Sequence, residues 1–475
     1  MLFNSYAFLA FFAVVLAVYH LAPLSWTARK VALVLGGYFF YATWNPPFVL
    51  LLWFTTLLDW FVARGIHAST DPRRRKLLLV ASIVVNLGLL SVFKYGNFAV
   101  ANASAASALF GWHWAPPSRY LILPVGISFY TFQSMAYAID VYRRRIEPAR
   151  SPLDYALFVA FFPLLVAGPI VRAETFLPQA EEPKRVSGNQ LAWGLAMMTL
   201  GMFEKVALAD AILAPVADRA LVGLRAMGPL DAWTGSFAFA GQIFFDFAGY
   251  SVCAIGAAHC LGFHVRDNFL FPYASVGFSD FWRRWHISLS TWLRDYLYVS
   301  LGGNRRGARR TYVNLMLTML LGGLWHGASW NFVAWGGLHG VYLAVERFLR
   351  ERFGGVAVFA LRPMRVLLGL LTFALVCITW VFFRANRFGH AWMIVSAMFG
   401  HVAPSGVEHL SRVQIQETMA LTVAMLVVHA LMRNRTLEDL VRVTPWWARS
   451  GALAAMLVLI VVLAGGERVF IYFQF

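Results

Sequence analysis

Charged residues are scarce in this sequence. Asp, Glu, Lys and Arg make up 13% of its 475 residues and hydrophobic residues make up 60%, whereas soluble globular proteins have about 25% charged residues. This composition excludes an ordinary soluble protein, and the high apolar content excludes a disordered chain. Because a helix needs about 20 apolar residues to cross a bilayer, the sequence predicts an all-α polytopic membrane protein with about 11 crossings.

The apolar runs that form the candidate crossings are separated by short polar loops. We expect spans near 2–21, 31–43, 48–63, 77–93, 121–141, 153–168, 190–207, 233–250, 311–325, 331–346, 366–383, 413–431 and 451–464. The runs 31–43 and 153–168 are too short to cross alone, so we expect them to be tilted, re-entrant or broken. No linker or internal repeat is visible, which predicts a single membrane domain over 1–475.

Acidic residues are fewer than basic ones, and the basic excess lies in loops. The formal net charge is +17, and basic clusters border apolar runs at Arg73–Lys76, Arg143–Arg145 and Arg305–Arg310. Such loops are typical of the cytoplasmic side of a membrane protein, and they argue against nucleic-acid binding. The first basic residue is Arg29, which predicts a retained first span with the N-terminus outside the cytoplasm.

Cysteine is rare, and the common signatures of soluble enzymes are absent. Cys253, Cys260 and Cys377 lie in apolar stretches without a CxxC pair, so they are expected to be small buried side chains. No His, Asp and Glu set has metal-ligand spacing. The sequence has no P-loop, GxGxxG, HExxH or GxSxG motif, so the informative polar residues are those inside the membrane, where they are costly and usually functional.

The segment 264–310 is too polar to cross a membrane and too aromatic for a loose loop. Its large apolar side chains recur at steps of three and four residues, and they are Phe281, Trp285, Leu289, Trp292 and Tyr296. Arg283 and Arg294 fall on another face. We therefore predict one amphipathic helix over 278–299 that lies in the cytoplasmic interface, with Trp and Tyr at the depth of the headgroups. Such a helix can be a plain membrane anchor.

His326 is the most informative intramembrane polar residue. It follows Arg310 by about 24 Å of helix, within a hydrocarbon core of about 30 Å. Basic residues return at Arg347, so 311–346 is predicted to be a hairpin with His326 near its apex. Gly323 and Gly327 allow the helix to break there. The imidazole can take a proton from a hydroxyl near neutral pH, or it can be a buried histidine that a backbone carbonyl satisfies.

Other polar residues carry weaker signals. Asp246 is the clearest intramembrane acid, and we expect it to pair with a buried base or to orient a helix. Glu204 is expected to pair with the adjacent Lys205 at the interface. An interfacial histidine such as His286 is usually exposed to water. His339 would not share a face with His326 if one helix ran straight through both.

Several stretches of the sequence carry a family pattern. They are Pro124–Phe132 with Ile139–Tyr142, Phe162–Arg172, Asp246–Ser251, Phe281–Tyr298 with Leu301–Arg305, Trp325–Trp330 and Phe470–Phe475. In these stretches the chain resembles the membrane-bound O-acyltransferases, and among them the bacterial subunits that O-acetylate alginate. The resemblance implies that His326 is the family's catalytic histidine and that His286 matches its second functional position. It also implies tilted, re-entrant and interfacial helices around a central funnel.

The resemblance further implies the partners of the reaction. Acetyl-CoA is expected as the cytoplasmic thioester donor, with no bound cofactor or metal. The acetyl group is expected to cross the bacterial inner membrane to a periplasmic SGNH-type partner in an exopolysaccharide synthesis complex. Arginines of the interfacial segment are expected to attract the donor's phosphates. The candidate substrate-binding residues are Arg283, Arg284, Arg294, Trp325, Asn331 and Asp246.

Two other functions stay open from the sequence. A conduit or transporter could move the acyl group or the polymer without chemistry of its own, because polar groups in a broken-helix cavity also suit transport. A lipid acyltransferase would need a lateral opening to the bilayer. The scarcity of paired acids and bases along a pathway, together with one histidine framed by glycines, favours the enzyme.

Overall fold

The computed structural model describes residues 1–475 apart from 113, 115–120, 167, 224–226, 403–408, 466–467 and 474–475. Its regular elements are all helical and the described part contains no strand, which confirms the all-α fold class. The chain groups into two compact units. One comprises Met1–Leu195 with Ala254–Arg266, and the other comprises Ala196–Cys253 with Asp267–Phe475.

The first unit is built from short and long helices. They are α1 (Tyr6–Leu21), α2 (Trp26–Ala42), α3 (Phe48–Ala68), α4 (Pro72–Leu90), α5 (Gly96–Leu109), α6 (Ile127–Tyr142), α7 (Pro152–Ala160), α8 (Phe162–Leu165), α9 (Ala173–Glu181) and the start of α10 (Gly188–Phe203). A π-helical turn, Ser91–Tyr95, joins α4 to α5. Helices α3, α4 and α6 pack on one another, and α2 packs against α7 and α8.

Buried polar groups hold the helices of this unit together. Asp59 of α3 accepts hydrogen bonds from Ser82 (2.5 Å) and Asn86 (2.9 Å) of α4. Lys30 of α2 forms a buried ion pair with Asp154 of α7. Burial of a polar or charged group without a partner costs free energy. Each of these interactions therefore fixes the register of two helices.

The second unit contains the longest helices. They are the end of α10, α11 (Ala214–Leu221), most of α12 (Pro229–Cys260), α13 (Phe278–Arg284), α14 (Ile287–Trp292), α15 (Ala308–His326), α16 (Trp330–Phe353), α17 (Arg362–Arg384), α18 (Phe388–Met398), α19 (Arg412–Met432), α20 (Leu437–Val443) and α21 (Trp446–Val462). A π-helical stretch, Glu204–Leu213, joins α10 to α11, and a second one, Leu293–Tyr298, follows α14.

Five helical stretches among the described residues are long and apolar enough to cross a membrane. They are Phe48–Ala68, Pro72–Leu109, Pro229–Cys260, Arg362–Arg384 and Arg412–Met432. Shorter apolar helices, such as Tyr6–Leu21 and Trp446–Val462, accompany them. These helices support a multi-pass membrane protein, while the count of 11 crossings and the central funnel stay predictions.

The candidate span 153–168 is broken, as its length suggested. Helix α7 ends at Ala160, and α8 begins at Phe162 with Pro163 in its first turn. Proline cannot donate a backbone hydrogen bond, and in a continuous helix the Pro163 ring would clash with the carbonyl of Val159, four residues earlier. The run is therefore two short helices that bend at Phe161, whose ψ of 98° is extended.

The region 311–346, which was predicted to be a hairpin, forms a hairpin of two helices. Helix α15 ends at His326, and α16 begins at Trp330. A Cβ on Gly323 would lie 2.2 Å from the Phe332 carbonyl oxygen, and one on Gly336 would lie 2.3 Å from that of Met319. The two helices therefore touch backbone to backbone. Gly323 lies inside α15, so it serves this contact and not the break.

The prediction of one interfacial helix over 278–299 is wrong. The chain leaves the helix after Arg284, and His286 adopts a left-handed conformation with φ of 41°. The backbone supplies the reason, because the Leu270 N–H donates to the Arg284 carbonyl and the Ile287 N–H donates to the Asn268 carbonyl. The segment before the helix thus takes hydrogen bonds that a continuous helix would have made with itself.

The aromatic face of this region is also deeper than predicted. Phe281, Trp285 and Leu289 are fully buried within the protein. The predicted three- and four-residue spacing does mark one apolar face, but that face packs into the core of the second unit and not into the headgroup layer. Periodicity alone does not distinguish a lipid-facing stripe from a protein-facing one.

Candidate active site

His326 lies at the C-terminal end of α15, inside a shell of aromatic rings. Only 4% of the residue is exposed. Its ring centroid lies 5.1 Å from that of Trp325, 4.9 Å from Trp335, 5.4 Å from Phe383 and 5.6 Å from Tyr472. Trp335 comes from α16, because the hairpin folds that helix back on α15. The shell excludes bulk water from the imidazole, which strengthens polar interactions made inside it.

His286 is buried and held in one orientation. It precedes the first turn of α14 and is 0% exposed. Its Nδ1 lies 3.2 Å from the Asn268 side-chain oxygen, which also accepts from the Ser288 hydroxyl at 2.9 Å. The Asn268 side-chain nitrogen donates to Ser251, so its oxygen accepts, and Nδ1 of His286 carries the proton. The expectation of a water-exposed histidine is therefore wrong, because the left-handed turn directs the ring inward.

The fold brings the two predicted histidines to the same aromatic shell. The His286 ring centroid lies 6.1 Å from that of Trp325 and 6.4 Å from that of Tyr472. Both aromatic residues also contact His326. Trp325, a candidate substrate-binding residue, thus contacts both imidazoles.

His339 belongs to the same region, although its position in the sequence did not mark it as a site residue. It lies one turn after Trp335 on α16, with ring centroids 4.8 Å apart. Its Nε2 lies 3.0 Å from the Thr379 hydroxyl of α17, and that hydroxyl donates to the Val376 carbonyl. Thr379 must then accept from His339 Nε2. Because the chain breaks after His326, α16 folds back on α15, and His339 lies beside Trp335, which contacts His326. One straight helix through both histidines would have placed them on different faces.

Asp246 is the centre of a buried ionic cluster. Its carboxylate lies 2.5 Å from Lys205 Nζ, and the same ammonium group lies 2.9 Å from Asp210. Lys205 thus pairs with acids on two elements. The sequence had predicted a pair with the neighbouring Glu204, and that prediction is wrong. The other Asp246 oxygen accepts the Ile471 N–H at 2.7 Å. Asp246 therefore binds the C-terminal segment and is not itself placed against the histidines.

The C-terminal segment contributes aromatic side chains to the site. The Phe470 ring centroid lies 4.5 Å from that of Tyr250, and that of Tyr472 lies 4.4 Å from that of Phe247. Phe247 also contacts His286 at 4.7 Å. In the sequence, only the family-like ending Phe470–Phe475 pointed to this segment, and its residues Gln474 and Phe475 lie outside the described residues.

A separate basic cavity lies between the α13–α14 region and the hairpin. Its volume is about 710 Å³. Its charged lining residues are Arg283, Arg294, Glu346, Arg347, Arg350 and Glu351. Arg294 pairs with Asp295 at 2.7 Å and Arg347 pairs with Glu351 at 2.7 Å. Thr318 and Met319 also line the cavity, on the same helix that ends at His326.

Two candidate substrate-binding residues, Arg284 and Asn331, make structural contacts. Arg284 pairs with Asp280 at 2.9 Å and donates to the Arg433 carbonyl at 2.7 Å. Burial opposes ionisation of Asp280, but the Val276 N–H and the guanidinium groups of Arg284 and Arg433 together hold its pKa below the usual value. Asn331 donates to the Ala385 carbonyl and so ties the start of α16 to the end of α17. No group of three His, Cys, Asp or Glu side chains in the described ranges could hold a metal ion.

Comparison with known proteins assigns the family. The family model of membrane-bound O-acyltransferases matches residues 146–392. The probable alginate O-acetylase AlgI of Azotobacter vinelandii is 43% identical over 405 residues, which cover 84% of this chain and 78% of that protein. The chain belongs to the membrane-bound O-acyltransferase family. This confirms the resemblance seen in the sequence, and it makes the protein an acyltransferase.

Other relatives of this acyltransferase differ in the acceptor their names specify. A peptidoglycan O-acetyltransferase of Helicobacter pylori is 33% identical over 490 residues, covering 94% of this chain and 91% of that protein. A teichoic acid D-alanyltransferase of Bacillus subtilis is 28% identical over 291 residues, covering 58% of this chain and 72% of that protein. The family match includes His286, His326 and His339, whereas Tyr472 lies beyond it.

Proposed function

We propose that this acyltransferase is an inner-membrane O-acetyltransferase of exopolysaccharide synthesis. It takes an acetyl group from acetyl-CoA at the cytoplasmic face and passes it towards a periplasmic SGNH-type partner, which acetylates an alginate-like polymer. The observation that carries the proposal is His326, an imidazole at the tip of a hairpin inside an aromatic shell that it shares with His286. Two relatives are named for O-acetylation, which favours acetyl over D-alanyl as the transferred group.

His326 is the general base of the proposed reaction. The acceptor hydroxyl gives its proton to the imidazole while its oxygen attacks the thioester carbonyl carbon. The tetrahedral intermediate then collapses, the carbon–sulfur bond breaks, and the proton passes from His326 to the leaving sulfur. The products are an acetate ester and the free thiol of CoA. The rings around His326 exclude water that would otherwise hydrolyse the thioester.

His286 orients the reacting groups through Trp325 and Tyr472, the two rings that it and His326 both contact. Its Nδ1–H is held by Asn268, so the ring cannot rotate freely. A fixed imidazole that packs on these two rings contributes by positioning, which is effective only when the geometry is held to within fractions of an ångström.

The basic cavity is the proposed site for the phosphate-rich part of the donor. Its volume of about 710 Å³ lies in the range of ligand and cofactor sites, which run to roughly 1,000 Å³. Arg283 and Arg294 are exposed at its surface, and guanidinium groups bind phosphate through paired hydrogen bonds. Helix α15 connects the cavity to His326, so a thioester extended along it points towards the candidate base.

Arg294→Glu should weaken donor use more than folding. The substitution replaces a phosphate-binding cation with an anion, so KM for acetyl-CoA should rise about tenfold, the loss expected for one charge-assisted hydrogen bond. Steady-state kinetics of the purified variant measure this. Arg309→Glu, a charge reversal at an exposed residue outside the cavity lining, is the matched control. A variant that accumulates poorly but keeps its activity per molecule would instead identify Arg294 as part of a membrane anchor.

The loop that contains Arg306 should face the cytoplasm. The basic clusters predict this side, with the N-terminus in the periplasm. The native cysteines Cys253, Cys260 and Cys377 are buried, so a single Arg306→Cys substitution supplies the reactive thiol. In intact cells it should react with a membrane-permeant maleimide and resist an impermeant one. Labelling by the impermeant reagent from the periplasmic side would reverse the topology.

The proposed function is tested with the full-length protein in phospholipid vesicles. Acetyl-CoA carrying a radioactive acetyl group is supplied outside, with oligomannuronate, muropeptides and a periplasmic SGNH-type protein of the same bacterium tested separately as acceptors. Protein-dependent release of CoA thiol, with label on the SGNH-type protein or on the oligomannuronate, is expected. Label on muropeptides alone would reassign the acceptor. Passage of the label across the vesicle membrane, with no transfer from CoA to any acceptor, would support the conduit.

A further inference from the structure

One wall of the His326 site has a different origin from the others. Trp325 and Trp335 belong to the hairpin, and Phe383 belongs to α17, which packs on α16. These three rings are fixed by helix packing. Tyr472 comes from a short helical turn, Ile471–Phe473, at the end of the chain. Its ring can therefore be changed without altering a helix of the hairpin.

Two tethers hold this last segment, which we name the C-terminal strap (residues 468–472). At one end the Arg468 guanidinium lies 2.9 Å from Asp218. At the other end the Ile471 N–H donates to Asp246 at 2.7 Å, and Asp246 is itself paired with Lys205. The position of Tyr472 therefore follows from one exposed ion pair and one buried ion pair that the reaction proposed above does not use.

We propose that Tyr472 limits the transferred acyl group to the size of acetyl, with Asp246 as the residue that positions the strap. This inference rests on the proposed function. The Tyr472 ring centroid lies 5.6 Å from that of His326 and 6.4 Å from that of His286, which are distances of aromatic rings in contact. The acyl chain of a thioester that reaches His326 must fit between such rings. In the proposed arrangement, each methylene added to the acyl chain packs against the Tyr472 ring.

The size of the expected effect follows from known cavities. Truncating one large buried side chain can leave an apolar cavity of about 150 Å³ that holds a benzene molecule. A two-carbon extension of acetyl is smaller than benzene, so removal of the Tyr472 ring makes room for butanoyl. One methylene in an apolar pocket typically changes kcat/KM by about 10- to 200-fold.

The experiment compares acyl donors of increasing length. The full-length protein in vesicles is given acetyl-CoA, propanoyl-CoA or butanoyl-CoA, and kcat/KM is measured by thiol release in the presence of the acceptor. Tyr472→Ala should raise the ratio of butanoyl to acetyl transfer by at least about tenfold. Tyr472→Phe retains the ring and should keep the wild-type ratio. Tyr472→Leu has a larger side chain than Tyr472→Ala but also lacks the ring. Its ratio of butanoyl to acetyl transfer tests the same prediction if the alanine variant accumulates poorly.

The outcomes separate this inference from the proposed function. If wild-type protein transfers no acetyl group from CoA, the proposed function fails. If wild-type protein transfers acetyl but the ratio is unchanged in both Tyr472→Ala and Tyr472→Leu, only the role of Tyr472 is overturned. An equal rise in Tyr472→Phe would also overturn it, because the ring and not the hydroxyl is the proposed wall.

Discussion

His326→Ala should abolish acetyl transfer while the protein still inserts into the membrane. Loss of a general base typically lowers the rate by about 10² to 10⁴, and the loss is larger if the imidazole also positions the acceptor. The alanine keeps the helix, because α15 ends at this residue and Gly327 already turns the chain. Thiol release from acetyl-CoA in the vesicle assay measures the rate, and the amount of protein in the membrane fraction measures insertion.

Two further variants make the result specific for the proton transfer. His326→Gln keeps a side chain that donates and accepts hydrogen bonds but cannot take up the proton, so it should be nearly as inactive as the alanine variant. His390→Gln changes another buried histidine of the second unit, which lies on α18 and not on the hairpin, and it should retain activity. Wild-type rates from His326→Ala would remove His326 from the chemistry and favour the conduit.

The sequence was sufficient to predict the hairpin region because the relevant signals are local. Basic residues flank both sides of 311–346, and glycines surround His326. A histidine at hydrocarbon depth is informative, because polar groups are costly there and are usually functional. The break at Trp285–His286 was not predictable in the same way. It depends on hydrogen bonds to the backbone of Asn268 and Leu270, and a spacing pattern contains no information about which backbone groups compete for a helix.

The ionic cluster does have a signal in the sequence. A Cβ on Gly201 would lie 2.3 Å from the Gly249 carbonyl oxygen, so α10 and α12 touch backbone to backbone at these glycines. Lys205 lies one turn after Gly201, and Asp246 lies nearly one turn before Gly249. An isolated lysine and an isolated aspartate, each one turn from a glycine in an apolar run, could have suggested this pair. Tyr472 offered no such signal, because its place depends on the tether to Asp246.

Lys205→Met should destabilise the protein more than any surface substitution. Lys205 and Asp246 side chains are each 2% exposed, and that of Asp210 is 14% exposed. The methionine fills similar space but leaves two carboxylates without their cation. Breaking a buried ion pair by removing one partner costs about 3 to 5 kcal/mol, because the remaining charge is desolvated and uncompensated. The loss should appear as a lower unfolding temperature in detergent.

The native cysteines provide the measurement. Cys253, Cys260 and Cys377 are buried, so a thiol-reactive fluorescent dye should report unfolding as they become exposed. Lys76→Met, at an exposed lysine, is the matched control and should change the stability by no more than about 0.5 kcal/mol. Adding Asp246→Asn to Lys205→Met removes one of the stranded charges, so the double variant should lose less stability than the sum of the two single variants.

The opposite result would have a specific physical meaning. A cavity of about 240 Å³ is lined by Lys205, Asp210 and Asp246 together with Arg468 of the strap. If Lys205→Met is as stable as Lys76→Met, water in this cavity or protons on the carboxylates must replace the ammonium group, and the ion pair then contributes nothing to folding. If the predicted loss is observed, Lys205 holds Asp246 in the charged form that accepts the Ile471 N–H, and the stability of the fold and the position of the strap depend on the same cation.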